Sequence, residues 1–401
     1  MISEYNKKIQ CVTTLFSLVL ILCVSAGTAE TPVAAASTSR QLSGESSQSG
    51  HSDNIVSAVF SPDGKLALTA SWDKTAKLWD VSTGKLLRSF DGHTDWVNSA
   101  SFSPSGQMVL TASSDGTAKI WKASSGDLLQ TLKGHTGRIN SAIYSPNGLT
   151  ILTTGNDDTA KLWNASSGIC LHTLKGHSGA VVSGAYSPNS QIVATASYDH
   201  TVKLWRTSTG ILLHTLIGHQ KAVNSVVFSP SGKYVLTASA DHTAKLWDVL
   251  SGSLITTFKG HKSSVTMAIF SPNGKQVLTT STDGTARLWK TTGDLIRIFN
   301  VSKQWVTCVA FSPNMNIMVT GSTDSYAKVW NTMTGKMLHV LSGHTGWINS
   351  VNFSPNGKLI ISSSTDQTAK IWNTLSGNLV QTLGRNQIAV NSQLSHLIFS
   401  N

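Results

Sequence analysis

A period of 42 residues constrains this chain more than any other feature of its sequence. The segment that begins at Gly92 reads GHTDWVNSASFSPSGQMVLTASSDGTAKIW, and the one that begins at Gly218 reads GHQKAVNSVVFSPSGKYVLTASADHTAKLW. One interval is 41 residues, because the turn after Trp289 is one residue shorter than its equivalents. Eight copies in register predict a repeat architecture. Each copy ends at a tryptophan: Trp79, Trp121, Trp163, Trp205, Trp247, Trp289, Trp330 and Trp372.

Each unit predicts four short β-strands. In the second unit VNSASFS, MVLTAS and TAKIW alternate in polarity, DLLQTL closes the unit, and SPSG, SDG and SSG supply the turns between them. A lone four-stranded sheet cannot bury both faces, whereas repetition packs sheet against sheet around an axis. With 40% hydrophobic residues, the chain has enough apolar material for such a core, which excludes disordered, collagen-like and multispanning membrane classes.

The repeats resemble the WD-repeat β-propeller family in their Gly-His opening, turn aspartate and Trp-Asp close. The resemblance covers residues 50 to 384 and implies an all-β fold with eight four-stranded blades over residues 51–384. The alternative is a seven-bladed ring with one displaced repeat. Residues 43–49 lack the apolar alternation of a strand, while NLVQTL at 378–383 completes the eighth repeat. We therefore predict that each blade is contiguous in sequence and that blade packing alone closes the ring.

The segments on either side of the repeats are predicted to lie outside the propeller. Residues 9–29 carry no charge, follow Lys7 and Lys8, and end in small residues that permit cleavage after Ala26 or Ala29. This pattern predicts a signal peptide at 1–29 and an exported protein, periplasmic or secreted. An uncleaved anchor is the alternative, and the sequence predicts membrane association only in that case. Residues 30–50 are predicted to be a flexible linker and residues 385–401 a C-terminal tail.

The family resemblance implies a hydrogen-bonded tetrad in each blade, formed by the Gly-His histidine, a serine, the turn aspartate and the strand-end tryptophan. Two blades depart from the pattern: Gly155 replaces the serine in the third, and Ser302 replaces the histidine in the seventh. Both are expected to be locally weaker. The matching sets include His93, Ser113, Asp115 and Trp121 in blade two, and His219, Ser239, Asp241 and Trp247 in blade five.

The same residue types raise the possibility of a hydrolytic triad, but the trio recurs in six blades, whereas catalysis needs one set made special by its surroundings. We predict no catalytic residues, no metal site and no cofactor. Cys170 and Cys308 fall on separate blades and are expected to be free and buried.

The net charge of +11 suggests a nucleic-acid partner at first sight. However, one cation per repeat stands two residues before the strand-end tryptophan, and this even spacing is more typical of a solvated feature than of a binding stripe. We predict no nucleic acid. These cations are Lys77, Lys119, Lys161, Lys203, Lys245, Arg287, Lys328 and Lys370.

Four of the twelve tryptophans are not needed to close repeats. Trp96, Trp305 and Trp347 occupy the third position after the Gly-His histidine or its substitute, and Trp72 precedes a turn aspartate. By the family resemblance these positions project onto one face, and blades seven, eight, one and two are consecutive in a closed ring. Tyr198 and Arg138 occupy equivalent positions. An amide rim toward the channel is predicted from Asn98, Asn140, Asn224 and Asn349.

Large aromatic residues beside amides are typical of interface anchors. The predicted function is therefore a monomeric, non-enzymatic scaffold that binds an unknown protein partner through this aromatic arc. A carbohydrate-binding propeller is the alternative, because sugars stack on indoles and hydrogen-bond to amides. A hydrolase would need a unique polar cluster in the channel, which the equivalence of the repeats argues against.

Overall fold

A computed structural model describes residues 50–384. The predicted signal segment at 1–29, the predicted linker up to residue 49 and the predicted tail at 385–401 lie outside the described residues. Within residues 50–384 no helix has the length and apolar character needed to cross a membrane.

The first four blades contain sixteen strands. Their bounds are β1 Ile55–Phe60, β2 Leu66–Ser71, β3 Ala76–Asp80, β4 Leu86–Phe90, β5 Val97–Phe102, β6 Met108–Ser113, β7 Thr117–Lys122, β8 Leu128–Lys133, β9 Ile139–Tyr144, β10 Thr150–Gly155, β11 Ala160–Asn164, β12 Cys170–Leu174, β13 Val181–Tyr186, β14 Ile192–Ser197, β15 Val202–Arg206 and β16 Leu212–Leu216.

Blades five to eight repeat the same pattern. Their bounds are β17 Val223–Phe228, β18 Tyr234–Ser239, β19 Ala244–Asp248, β20 Leu254–Phe258, β21 Val265–Phe270, β22 Gln276–Ser281, β23 Thr285–Lys290, β24 Leu295–Asn300, β25 Val306–Phe311, β26 Ile317–Ser322, β27 Ala327–Asn331, β28 Met337–Leu341, β29 Ile348–Phe353, β30 Leu359–Ser364, β31 Ala369–Asn373 and β32 Leu379–Leu383.

Each group of four consecutive strands forms one antiparallel sheet, and eight such sheets make the ring. The first strand of every blade lies innermost and contacts the first strands of both neighbouring blades, including β29 against β1. The predicted all-β fold with eight contiguous blades is confirmed, and the alternative of seven blades with a displaced repeat is wrong.

The core lies between blades, because each sheet buries its faces against its two neighbours. The cluster between blades one and two joins Leu68 and Leu78 of the first to Val97, Val109 and Trp121 of the second. The strand-end tryptophan of each blade therefore packs toward the preceding blade, which explains why the repeats cannot fold singly.

The ring closes through the same kind of contact, reinforced by hydrogen bonds. Ile55 and Trp79 of blade one pack with Ile371 and Leu383 of blade eight. The Asn349 side chain donates to the Ile55 carbonyl at 2.8 Å. Closure uses blade packing, as predicted, but the prediction that packing alone closes the ring is wrong, because a side-chain hydrogen bond also crosses the closure.

Two further side-chain hydrogen bonds cross the closure, one between the innermost strands and one at the outer edge. The Gln381 amide donates to the Ser82 carbonyl at 3.0 Å, and Asn352 donates to the Ala58 carbonyl at 2.9 Å. The described ends of the chain also meet, since a Cβ added to Gly50 would collide with the Gly384 carbonyl oxygen.

Antiparallel pairing gives the ring two distinct faces. The connections from strand two to strand three and from one blade to the next lie on one side, called here the upper face. The connections from strand one to strand two and from strand three to strand four lie on the other side, the lower face.

Candidate functional site

A buried hydrogen-bond chain joins the two connections of the upper face in blade one. The Trp79 indole N–H donates to Thr69 Oγ1 at 2.9 Å, and Thr69 lies 2.7 Å from His51 Nε2. His51 Nδ1 lies 2.7 Å from Asp73 Oδ2, so the ring proton sits on Nδ1 and Nε2 accepts from the threonine. The tetrad satisfies every donor that it buries.

The predicted serine is not the hydroxyl of this tetrad. In blade two, Thr111 lies 2.7 Å from His93 Nε2 and accepts the Trp121 indole N–H at 2.9 Å. Ser113 instead donates to the Asp95 carbonyl at 2.9 Å and accepts the Asp115 backbone N–H at 3.0 Å. The serine therefore fastens one upper connection to the other, while the threonine two residues earlier links histidine to tryptophan.

Blade five shows the same correction. His219 pairs with Asp241 at 2.7 Å and with Thr237 at 2.7 Å, and Trp247 donates to Thr237 at 3.0 Å. Ser239 accepts the Asp241 backbone N–H at 3.0 Å. The sequence held a signal for this assignment, because the hydroxyl position is threonine in seven repeats and Ser362 in the eighth, whereas the predicted position is glycine once.

The tetrad of blade three is complete, because Gly155 does not stand at its hydroxyl position; that the blade is locally weaker stays a prediction. Thr153 lies 2.8 Å from His135 Nε2 and accepts the Trp163 indole N–H at 2.8 Å. His135 Nδ1 contacts both carboxylate oxygens of Asp157 at 2.9 Å. Gly155 removes only the serine fastening, so the tetrad of this blade is intact.

Blade seven lacks the histidine and replaces its contact with a cation. Trp330 donates to Thr320 at 3.0 Å as in other blades. Lys328 Nζ donates to the Val301 carbonyl and lies 3.1 Å from Asp324 Oδ2. The lysine thereby joins the same two upper connections that histidine joins elsewhere.

Burial sets the protonation of the tetrad in blade one. Desolvation lowers the pKa of His51 below its ordinary value, and the hydrogen bond and charge of Asp73 only partly offset that effect. Burial alone would raise the pKa of the Asp73 carboxyl, but the hydrogen bond from His51 and those from Thr75 and the Ser52 backbone hold it well below its usual range. The pair at neutral pH is therefore a neutral imidazole beside a carboxylate.

This geometry resembles a hydrolytic triad, with a hydroxyl, an imidazole and a carboxylate in line. Thr69 is 0% exposed, however, and its oxygen already accepts the Trp79 indole N–H. A nucleophile in that position is out of reach of a substrate, so we assign the tetrads to structure.

Metal ligands do not gather in the part of the chain that the structure describes. Residues 50–384 contain no group of three or more His, Cys, Asp and Glu side chains placed to hold an ion. Cys308 is free and buried, and burial raises the pKa of its thiol to about 12. Cys170 is free but exposed, which corrects the expectation that both thiols are buried.

The sequence predicts that the cations before the strand-end tryptophans are solvated, and this prediction is wrong, because seven of the eight are buried. Lys161 is buried and its Nζ donates to the Thr173 hydroxyl of the outer strand at 3.1 Å. Lys77, Lys119, Lys203, Lys245 and Lys370 make the equivalent bond. In blade seven the outer partner is Val340, which offers no hydroxyl and leaves Lys328 to bind Asp324.

The four remaining tryptophans lie on connections of the upper face in blades seven, eight, one and two. The Trp72 and Trp96 rings stack with centroids 4.5 Å apart and planes 14° apart. Trp347 is 36% exposed, and Trp305 is half-buried. We call these four side chains the aromatic arc.

Backbone pairing holds the arc in place. The Trp347 carbonyl accepts the Thr365 N–H at 3.0 Å, and the Trp305 carbonyl accepts the Thr323 N–H at 3.0 Å. Asp95 accepts the Trp96 N–H at 2.8 Å. Tyr198 and Arg138 lie on the upper faces of blades four and three, both half-buried and outside these four blades.

The predicted amide rim has a structural role instead. In every first hairpin the register shifts at the second residue of strand one, which leaves that residue as a β-bulge. A bulge re-aims its side chain, here toward the next blade. The bulge amides of Asn98, Asn140 and Asn224 each donate to the following blade at 2.8 Å.

Asn349 makes the equivalent bond across the closure, and Asn140, Asn224 and Asn349 are buried. Arg138 Nε donates to Asn140 Oδ1 at 3.1 Å, so the arginine supports the same interblade contact. The prediction that these amides form a partner-binding rim is therefore wrong for the three buried ones, because they are enclosed and already bonded.

Eight sequence-contiguous, four-stranded blades in a closed ring define the class of repeat β-propellers. The chain belongs to the WD40 family. Its repeats match the WD domain, G-beta repeat, at residues 44–80, 84–122, 126–164, 168–206, 210–248, 252–290, 293–331 and 335–373.

WD40 proteins generally act as protein-interaction scaffolds, and their propellers are typically non-enzymatic. The family repeat is offset from the blade by one strand, since residues 84–122 span the outer strand of blade one and three strands of blade two.

Two similar natural proteins match this chain over about one repeat, and one designed structure matches most of it. MST50-interacting protein 11 of Pyricularia oryzae is 51% identical over 41 residues, and small ribosomal subunit protein RACK1 of Neurospora crassa is 57% identical over 35 residues. These stretches are 10% and 9% of this chain and 13% and 11% of the relatives. The crystal structure of the computationally designed Ika8 protein is similar with a TM-score of 0.73 and 32% identity, covering 81% of this chain and 97% of that one.

Proposed function

We propose that this protein is an exported, non-enzymatic scaffold that binds a protein partner through the aromatic arc of its upper face. The observation that carries the proposal is the concentration of Trp305, Trp347, Trp72 and Trp96 on four consecutive blades. The eight other tryptophans are buried at the ends of third strands, whereas these four lie on upper connections. Trp72 also packs against the core cluster between blades one and two.

The arc has the composition of an interface core. Tryptophan is enriched among the residues that carry most binding energy, and such residues work best on a preorganised backbone. The Trp72 and Trp96 rings stack, and both side chains are half-buried. Exposed Asp95 lies at the blade-two end of the aromatic arc, and exposed Lys303 lies at the blade-seven end. Protein interfaces likewise have an apolar core and a polar rim.

The buried amides favour a protein over a glycan. Sugar recognition by this surface would need free amides beside the indoles, but Asn140, Asn224 and Asn349 are buried and bonded to the next blade. Export is supported by the uncharged segment at 9–29, with two lysines before it and small residues at its end.

The test compares W305A/W347A with the matched control L149A, an exposed apolar residue on the lower face of blade three. Each protein is crosslinked in the exported fraction of the native cells, and mass spectrometry maps the crosslinked positions. We expect crosslinks near the arc in the wild type and in L149A, and their loss in W305A/W347A with a melting temperature close to that of the wild type.

Three results would count against the proposal. Unfolding of W305A/W347A would make these residues structural. Unchanged crosslinks would place the partner elsewhere. Binding on a glycan array that depends on the same tryptophans would favour the carbohydrate alternative.

A further inference from the structure

The lower face carries most of the strongly exposed apolar side chains of the described residues. Six of the seven large apolar residues that are at least 60% exposed lie there. Three of them stand at one position, the tip of the turn between strands three and four: Leu250 is 90% exposed, Met333 78% and Leu375 84%. Exposed leucines are ordinary when scattered, but not when they repeat at one structural position.

That position divides the ring into two sectors. Blades one to four have serine at the tip, at Ser82, Ser124, Ser166 and Ser208. Blades five, seven and eight have Leu250, Met333 and Leu375, and the turn of blade six is one residue shorter. The apolar tips are therefore confined to one side of the ring.

The backbone at each apolar tip is anchored by the preceding blade. His214 Nε2 lies 2.9 Å from the Leu250 carbonyl, and His339 Nε2 lies 2.8 Å from the Leu375 carbonyl. Arg297 donates to the Met333 carbonyl at 2.9 Å. Because the carbonyls are held against the ring, the side chains are held out from it.

Lysines follow a similar division, except that their sector also includes blade one. Six lysines lie in the connections of the lower face, and all of them belong to blades five to eight and blade one. The acids of those connections in that sector are Asp63 and Asp294, and Asp294 is paired with Lys290 at 3.8 Å. Asp80 and Asp248 border two of the turns at the ends of third strands and accept hydrogen bonds from the turn backbone, which leaves the lysines in excess. The lysines are Lys65, Lys85, Lys233, Lys275, Lys336 and Lys358.

We propose that the lower face of blades five to eight docks on a lipid bilayer that contains anionic lipids. Leu250, Met333 and Leu375 enter the boundary between headgroups and acyl chains, and the neighbouring lysines face lipid phosphates. The apolar tips occur on separate turns with lysines between them. Such isolated tips insert into a fluid phase, whereas a protein interface concentrates its apolar residues in one packed centre.

This contact is independent of the aromatic arc, because it uses the opposite face of the ring. A propeller docked in this way would present its upper face away from the membrane. It also differs from the anchor alternative for residues 1–29, because it needs only residues of the propeller.

The experiment measures co-sedimentation of residues 30–401 with vesicles. All eight cores and the closing contacts are made within residues 50–384, so removal of residues 1–29 leaves them intact. Vesicles of phosphatidylcholine with about a third phosphatidylglycerol are compared with phosphatidylcholine alone. We expect binding to the anionic vesicles that weakens as salt is raised.

The decisive variant is L250S/M333S/L375S, and its matched control is L149S/I169S/I211S, which removes three exposed apolar residues from the lower face of blades three and four. Loss of three inserted side chains should lower the partition coefficient about a hundredfold, against less than about twofold for the control. Replacing Lys233, Lys275, Lys336 and Lys358 by glutamine should remove the preference for anionic lipid.

Equal losses in the two triple variants, or no binding to anionic vesicles, would overturn the proposal. Retention of wild-type and L250S/M333S/L375S on immobilised polyglutamate to the same degree, without vesicle binding, would indicate an acidic protein partner instead. Urea unfolding of each variant guards against loss of the fold.

Discussion

Blades three and seven anchor their strand-end tryptophans through the same threonine but stabilise that threonine differently. In blade three, Thr153 is held between Trp163 and His135, which is paired with Asp157. In blade seven, Thr320 receives only the Trp330 indole N–H, and Lys328 binds the turn aspartate directly.

The difference separates two tasks that a single histidine performs in the other blades. One task is to hydrogen-bond to the buried threonine hydroxyl through Nε2. The other is to link the blade-to-blade connection to the connection between strands two and three by hydrogen-bonding to the turn aspartate through Nδ1. Lys328 takes over the second task through the Val301 carbonyl and Asp324. It is free to do so because Val340 replaces the hydroxyl that engages the equivalent lysine elsewhere.

The largest expected effect comes from removing the shared threonine. T153V should destabilise the protein by about 2–4 kcal/mol, because it leaves both the Trp163 N–H and His135 Nε2 buried without a partner. T320V should cost about 1–2 kcal/mol, because only the Trp330 N–H is orphaned. Urea unfolding followed by tryptophan fluorescence measures both, and equal losses would refute the distinction between the blades.

A smaller loss of stability is expected at the cations, and here blade seven should lose more than blade three. K328M should destabilise by about 1–2 kcal/mol, since it leaves the partly buried Asp324 without its cation. K161M should cost less than about 1 kcal/mol, because Lys161 makes only the bond to Thr173. The same unfolding assay decides the order, and a greater loss in K161M would show that Lys328 does not replace the missing histidine.

The smallest effect is expected at Gly155. A serine Cβ at this site would lie 2.5 Å from His135 Nδ1, so the histidine and Asp157 must shift toward the geometry of other blades, while the new hydroxyl would gain the Asp157 N–H. The two effects should offset to within about 1 kcal/mol in G155S. A large stabilisation in G155S would mean that blade three is weakened by the missing serine hydroxyl.

The fold was readable from the sequence because its signals repeat. The period, the strand alternation and the closing tryptophans each recur eight times, and so they predict eight blades without reference to any single residue. The contacts within a blade were harder to assign. Thr69 and Ser71 are two residues apart and point to the same side of one strand, so pattern alone does not tell which of them meets the histidine.

The predictions for the asparagine amides and for the lysines were wrong for a related reason. Asn140 carries the polarity of a surface residue, and only the β-bulge, which has no sequence signature here, turns it into the interface with the next blade. Lys161 likewise has the sequence pattern of a solvated cation, but in the structure it is buried and its amine donates to Thr173. The placement of the aromatic arc rests on connection type alone, and its role in binding stays a prediction.

The meeting of Gly50 and Gly384 has a consequence for the order of the chain. Each blade is a contiguous stretch, and the contacts across the closure are of the same kinds as those across other blade boundaries. The ring therefore contains no privileged starting blade. Joining these two glycines and opening the backbone just before the Gly-His of another blade should therefore keep the same eight sheets and the same interblade contacts, so a circular permutant is expected to form the same ring.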